Sequence, residues 1–312
     1  MRSERGARGK LIVITGPTAT GKTALGALFA KMVDGEVVSA DSMQVYRHMD
    51  IGTAKPTDAD KLGVPHHMID IVTPREDYSV ARYVADAVLC VDDIVRRGKL
   101  PVIVGGTGLY IDSLISGRFF QARGDENMRC ELEEEYEALG GAAMLRKLSQ
   151  FDPASADKLH ENDKKRIVRA IEVFYITGTP ISRHDLETRL LPPRYDAVKF
   201  GLTFAARAGL YSRIEARVDA MMANGFADEV RGLLDMGLLP GCTAMQAIGY
   251  KELCSVILGG SDLGGAVELI KQESRRYSKR QLTWLRRDEG VRWITWDKAP
   301  DIEAGVQFIM HN

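Results

Sequence analysis

Three groups of residues in this chain have the types and spacing to do chemistry. The stretch GPTATGKT follows the apolar run KLIVIT and fits the pattern G-x-x-x-x-G-K-S/T. Such a loop, here Gly16, Pro17, Thr18, Ala19, Thr20 and Gly21, aims backbone N–H groups at phosphate oxygens, and the helix after it adds its positive end. Lys22 would then neutralise a terminal phosphate, and the hydroxyl of Thr23 would ligate Mg²⁺. The second group is Asp41, a carboxylate at the end of the apolar run EVVSA and followed at once by SMQVYR. An acid at the carboxyl edge of a sheet stands where open α/β folds bind ligands. Its structural alternative is to cap the short helix after it. The third group is basic: KKRIVR at 164–169 and KQESRRYSKRQLTWLRR at 271–287.

A nucleotide-hydrolysing enzyme with this phosphate loop should show a second apolar strand ending in an acid that helps hold the metal. PVIVGG runs instead into Thr107, with no carboxylate. The donor of a phosphoryl group is therefore a poor fit, and the loop needs another reason to bind phosphate. Lys and Arg total 42 against 43 Asp and Glu, a net charge of −1. That balance argues against nucleic acid, but the charge is unevenly placed: DENMRCELEEEYE at 125–137 is strongly acidic while the two runs above are basic. Phosphate contacts require a basic face rather than a basic total. Each run alone also reads as a solvated helix face.

The elements that must position these groups alternate. KLIVIT (10–15), EVVSA (36–40), HMIDIV (67–72) and PVIVGG (101–106) read as buried strands, being short, β-branched and bounded by Gly or Pro. SVARYVADAVLCVDDIVRRG reads as a helix with Ser79 as N-cap and Gly98 as its stop. The fold class is α/β: a P-loop NTPase-like parallel sheet flanked by helices. After Gly117 the alternation stops. Residues 118–195 are helical in pattern, with Asp163 placed to cap the helix carrying KKRIVRAIEVFYI, and then AVKFGLTFA, helices over 207–236 and 262–284, and the strand VRWITW follow. The expected domains are a first part of the core at 1–117, a helical insertion domain at 118–195, and a second part of the core with carboxyl-terminal helices at 196–312.

The remaining candidates are weaker. Cys90, Cys130, Cys242 and Cys254 form no C-x-x-C pair and read as indifferent thiols. His66 and His67 are sequence neighbours that point to opposite faces of a strand, so they read as structural. Trp284, Trp293 and Trp296 read as core. No apolar run approaches the length that would span a bilayer, and MRSERGARGK reads as a short leader on a cytoplasmic protein.

Taken together, GPTATGKT, SADSMQVYRHMDIGTAKP, PHHMIDI, YSVARY, PVIVGGTGLYI, NDKKRIVRAIEVFYITGTPIS, MQAIGYKE and YSKRQLTW resemble the tRNA dimethylallyltransferase (tRNA isopentenyltransferase) family in its bacterial form, in order from Lys10 to Trp296. The resemblance implies that the loop holds the diphosphate of dimethylallyl diphosphate. The allylic group would pass to the exocyclic amine of the adenosine just 3′ of the anticodon in tRNAs reading codons that begin with U. It implies Asp41 as the acid that orients the amine and takes its proton, with Thr107 and Arg217 acting at the reacting diphosphate end. On the helical pattern alone, Arg217 could instead lie on an exposed face. Asp41, Ser42, Met43 and Gln44 would meet the target adenosine. Lys165, Arg166, Ile167, Val168 and Arg169 would meet the anticodon stem-loop, with Arg129 near the reaction channel. Gln246 would add base recognition, unless MQAIGYKE is a buried turn. The insertion would be the arm that grips the anticodon stem, its acidic stretch facing away from RNA. The expected cofactor is Mg²⁺ and the expected state a monomer.

Departures from the family pattern are Thr20, Ser274 and His48, where serine, threonine and glycine are usual. Rival readings are a small-molecule kinase using ATP, a prenylating enzyme for free adenine nucleotides, and an RNA-binding module with a vestigial loop.

Overall fold

The structure is a computed structural model that describes residues 9–117 and 124–312. Residues 1–8 of the expected leader MRSERGARGK and the first residues of the expected insertion, 118–123, lie outside the described residues. The chain folds as two compact units, one of Met1–Ile115 with Arg194–Asn312 and the other of Ser116–Pro193.

The first unit begins with the strand β1 (Lys10–Thr15), the helix α1 (Lys22–Met32), β2 (Glu36–Ser39), a single helical turn α2 (Asp58–Lys61) and β3 (His66–His67). It continues through α3 (Val80–Arg96), β4 (Pro101–Gly105) and α4 (Gly108–Ser116). All six strands of its sheet are parallel, in the order β3-β2-β4-β1-β5-β6, the last two being β5 (Asp196–Phe204) and β6 (Val291–Trp296), which come after the second unit. Central strands covered on both faces must be apolar along their whole length. Val102 and Ile103 of β4, and Val13 and Ile14 of β1, are accordingly fully buried. Ile12 lies beside Val102 on one side and Val198 on the other, so β1 occupies the middle of the sheet. Parallel pairing also delivers the ends of β1, β2 and β4 to one edge, and that places the phosphate loop, Asp41 and Thr107 together.

Packing keeps this edge in place. Leu25, Phe29 and Ala30 of α1 join Val104, Phe200, Leu202 and Trp296 in one buried cluster. Each fully buried side chain of this size contributes about 1.5–3 kcal/mol. Gly26 lets α1 approach the sheet, since a Cβ there would lie 2.5 Å from Val104. On α3, Tyr83, Ala87, Val91 and Ile94 form the buried stripe, and the Ser79 side chain caps the helix by accepting from the Arg82 amide.

Several expected elements differ. HMIDIV is a strand only at its first residue, because Met68 (φ 64°) and Asp70 (φ 56°) take left-handed conformations that break the pleat. The run then rejoins the fold through a single parallel bridge from Val72 to Tyr46. The helix expected over 207–236 is two, α10 (Arg207–Ala223) and α11 (Phe226–Asp235), divided at Gly225 (φ 91°). After them come α12 (Tyr250–Ile257), the long α13 (Leu263–Leu285) and α14 (Ile302–Met310). Arg194 and Tyr195, placed in the insertion from sequence, belong to the sheet unit. The Arg194 amide donates to the Ile115 carbonyl, and the Tyr195 hydroxyl donates to Asp92 at 2.7 Å.

The second unit consists of α5 (Glu126–Leu139), α6 (Gly141–Ser149), α7 (Pro153–Ala156), α8 (Lys164–Thr177) and α9 (Ile181–Leu190). Leu132, Met144, Leu148, Ile167, Val168 and Ile171 make its core. Asp163 does precede α8, but its side chain makes no cap; it accepts instead from the His160 amide at 3.0 Å.

Candidate active site

A cavity of about 360 Å³ opens at the carboxyl edge of the sheet. Its walls include Thr18, Lys22, Thr23, Asp41, Arg217 and Gln281. The phosphate loop leaves β1 at Gly16, where a Cβ would fall 2.7 Å from the Leu202 carbonyl oxygen, so only glycine fits so close to β5. Ala19 (φ 65°) is left-handed without being glycine, which costs about 1–2 kcal/mol. The loop is held in that conformation from three directions. Arg213 donates to the Ala19 carbonyl at 3.1 Å, the Trp296 indole donates to the Thr20 carbonyl at 2.9 Å, and the Thr18 amide donates to Gln281 Oε1 at 3.1 Å. Gly21 (φ 86°) then starts α1, whose first turn has no side-chain cap, so its leading amides lack intrahelical partners, and Lys22 and Thr23 line the cavity.

Lys22 Nζ lies across the loop and donates to the Pro17 carbonyl at 2.6 Å. Burial, with the Arg217 guanidinium adding to it, pulls the Lys22 ammonium down to about 7, against an opposing pull from Asp41. Burial also lowers Arg217, and Asp41 again opposes it. Two cations thus crowd one end of the cavity with a single carboxylate for company, an arrangement that favours a bound anion.

Asp41 serves both of the uses that its sequence position allowed. Its Oδ1 accepts from the Met43 amide at 2.9 Å and the Gln44 amide at 3.3 Å, which is the turn-capping reading. Among the described residues its Oδ2 has no hydrogen-bond partner, and the side chain lines the cavity with Lys22 and Arg217. Thr107 does not itself line the cavity. Its Oγ1 accepts from the Ser42 amide at 3.2 Å, and its amide donates to the Ala40 carbonyl at 3.1 Å, so it holds the start of the DSMQ turn. Gly105 has to be glycine for this approach, because a Cβ would lie 2.2 Å from the Ala40 oxygen.

The fold therefore gathers Thr18, Lys22, Thr23, Asp41, Ser42, Met43, Gln44, Arg217 and Gln246 around one cavity. Arg217 faces inward, so the exposed-face reading of RIEAR falls. Gln246 is exposed while its neighbours Ala244 and Met245 are buried, and its amide donates to the Pro240 carbonyl at 2.7 Å.

The residues of α8 divide by helical period. Lys165 and Arg166 are exposed, whereas Ile167 and Val168 are buried in the helical core. Those two cannot contact RNA as expected, because their side chains are the apolar stripe that holds α8 in place. Arg129 and Arg169 both reach the fully buried carboxylate of Glu172, at 3.0 and 2.8 Å, and so do structural service in the second unit.

Sequence reasoning missed several residues that build the site. Gln281 is buried and bridges the Thr18 amide to the Gly106 carbonyl, to which it donates at 2.9 Å. Tyr277 lines the cavity beside Gln281, and burial and then Asp41 push its hydroxyl up to about 12. Both lie in YSKRQLTW, which was read as a resemblance block and a basic run with no role given to either residue. His67 pairs with Glu36 at 2.8 Å, whereas His66, which bonds the Val64 carbonyl at 2.9 Å, also lines the cavity. Of the tryptophans, Trp296 is core, but Trp284 is half-exposed with its indole donating to Asp112. Among the described residues no cluster of three or more His, Cys, Asp or Glu could hold a metal.

The sequence matches the family model for IPP transferase over residues 44–288 and that for isopentenyl transferase over residues 9–70. The chain belongs to the IPP transferase family. It is 47% identical to the tRNA dimethylallyltransferase of Geobacter sulfurreducens over 296 residues, covering 95% of each chain. It is also 47% identical to that of Pelotomaculum thermopropionicum over 300 residues, covering 96% of this chain and 95% of the other. Among solved structures, the full-length tRNA isopentenylpyrophosphate transferase of Bacillus halodurans is 42% identical with a TM-score of 0.71, over 97% of this chain and 96% of that one. A eukaryotic dimethylallyltransferase captured acting on tRNA is 28% identical with a TM-score of 0.79, over 97% of this chain and 80% of that one. The P-loop-like parallel sheet is thus the fold of this family of prenyl-transferring enzymes, as the motif blocks implied. No described helix of this IPP transferase is long and apolar enough to cross a membrane.

Proposed function

We propose that this chain transfers the dimethylallyl group of dimethylallyl diphosphate to the exocyclic amine of the adenosine 3′-adjacent to the anticodon, in tRNAs that read codons beginning with U. The observation that carries the reading is one cavity lined both by a cationic phosphate cradle and by a carboxylate with one unengaged oxygen. The amine lone pair attacks the allylic carbon and the carbon–oxygen bond breaks. Its electrons go to the departing diphosphate, and the amine proton goes to Asp41 Oδ2. Lys22, Arg217 and the loop amides stabilise the leaving charge, which is commonly the largest catalytic term. A carboxylate that accepts the proton contributes roughly 100-fold to 10,000-fold in rate.

Mg²⁺ fits these residues. The Thr23 hydroxyl lines the cavity beside the phosphate loop, and this ion commonly takes one or two protein ligands while keeping waters and substrate phosphates. Bound there, it would add positive charge to the diphosphate oxygens. Use of tRNA as acceptor supports a cytoplasmic reaction.

Incubation with labelled dimethylallyl diphosphate and unmodified tRNA should label a single adenosine, while ATP labelled in its terminal phosphate should transfer nothing. Transfer of phosphate from ATP to any acceptor would instead return the kinase reading.

On the helical unit, Lys165 and Arg166 are the members of KKRIVR free to reach an RNA backbone; Arg166 has only a 3.9 Å approach to Asp163. Replacing both by alanine should weaken tRNA binding and flatten its dependence on log salt by about 2, near one unit per lost phosphate contact. Dimethylallyl diphosphate binding should be unaffected. An unchanged salt slope would remove them from the RNA interface.

A further inference from the structure

We infer that Glu229 is a positioning residue for Asp41, acting through a loop that lines the same cavity. Three successive backbone amides of that loop converge on its carboxylate: Asp50 at 2.8 Å and Ile51 at 2.7 Å donate to Oε2, and Gly52 donates to Oε1 at 3.1 Å. The Tyr250 hydroxyl donates to Oε1 as well, at 2.6 Å. Successive amides that point the same way form an anion-binding concavity, and here the anion is a side chain from α11, about 180 residues away in sequence. The fit is tight. A Cβ on Gly52 would lie 2.2 Å from the Phe226 ring and 2.6 Å from the Tyr250 ring.

What the clamp holds leads to the acid. Carbonyls of Thr53 and Ala54, the residues next along the loop, accept both protons of the Gln44 amide, at 3.4 and 3.3 Å. Gln44 Oε1 accepts from the Ser39 hydroxyl at 3.1 Å, so both ends of its side-chain amide are tied. The Gln44 backbone N–H in turn donates to Asp41 Oδ1 at 3.3 Å. Gln44, expected to read the target base, therefore serves in this structure as the link that transmits the loop's position to Asp41. A reacting group displaced by about 1 Å can lose about 100-fold in rate.

The inference rests on the proposed reaction, so its test includes a measurement that does not need that reaction. Glu229→Gln keeps the size but turns an N–H group toward amides that need an acceptor. Its amide hydrogen exchange should quicken at Asp50, Ile51 and Gly52, and also at Met43 and Gln44, whose amides bond Asp41. Turnover per site should fall 10- to 100-fold, with sites counted by inorganic diphosphate binding, while affinity for inorganic diphosphate stays within twofold. Gly52→Ala, which displaces the loop without touching the carboxylate, should give the same split. Faster exchange confined to residues 50–52, or turnover preserved per diphosphate-binding site in both variants, would overturn the positioning role. Absence of dimethylallyl transfer in the unaltered protein would overturn the proposed function and leave the exchange result to decide this inference alone.

Discussion

Asp41→Asn should lower the single-turnover rate of dimethylallyl transfer by roughly 100-fold to 10,000-fold, the range associated with loss of a positioned proton acceptor. The substitution isolates the chemistry from the fold. Asparagine keeps an oxygen where Oδ1 accepts from the Met43 and Gln44 amides, so the DSMQ turn should persist. It replaces the unengaged Oδ2 with a group that cannot take a proton. Diphosphate affinity should remain close to that of the unaltered protein, because the loop amides and Lys22 are intact. Asp41→Ala should show the same catalytic loss together with about 1 kcal/mol of instability, the usual consequence of removing a side chain that caps a turn. Rapid quench with labelled donor and a thermal melt separate the two effects. A rate near that of the unaltered protein in Asp41→Asn would exclude the acid from the reaction and leave it a turn cap only.

The second large effect belongs to Lys22. Lys22→Met should reduce turnover by about 100-fold to 1,000-fold, as expected when one preorganised donor to a leaving anion is lost, and should weaken inorganic diphosphate binding. The pH dependence gives a sharper signature. In the free protein the Lys22 ammonium is held down to about 7 by burial and by Arg217. A bound diphosphate favours the charged form, so its pKa rises in the complex. Below pH 7 the lysine is already charged and affinity should be flat in this respect. Above pH 7 binding must take up a proton, and affinity should fall by up to tenfold per pH unit until the raised pKa of the complex is reached. Calorimetry in buffers of different ionisation enthalpy measures that proton uptake. Lys22→Met should abolish it, and an identical pH profile in the two proteins would show that another group titrates.

Legibility in the sequence followed the range over which each feature is determined. The phosphate loop is eight contiguous residues whose function depends on local backbone geometry, so GPTATGKT after KLIVIT was readable at once. Asp41 was readable for a related reason. A short β-branched strand ends where its apolar run ends, and parallel pairing brings such ends to one edge. By contrast, the hydrophobic pattern of HMIDIV reported burial correctly and conformation wrongly. Met68 is buried as the pattern demands, yet its left-handed φ leaves no trace in residue type. In KKRIVR, the motif resemblance treated five residues as one RNA contact, whereas the 3.6-residue period sends Ile167 and Val168 inward and leaves Lys165 and Arg166 outside.

By itself, the sequence determined that this protein has a parallel sheet with a phosphate loop, an acid at the end of a neighbouring strand, a helical insertion and membership in a family of prenyl-transferring enzymes. These are properties of contiguous segments. Only the tertiary structure decided which cations face the phosphate, since Arg213 and Arg217 are one helical turn apart and have different tasks. Arg213 braces the Ala19 carbonyl, and Arg217 enters the cavity. It alone brought Gln281 to the Thr18 amide and Glu229 to the amides of residues 50–52. Those contacts join segments separated by some 180 to 260 residues. Such pairings depend on how helices seat on the sheet, and no local run of residue types encodes that seating.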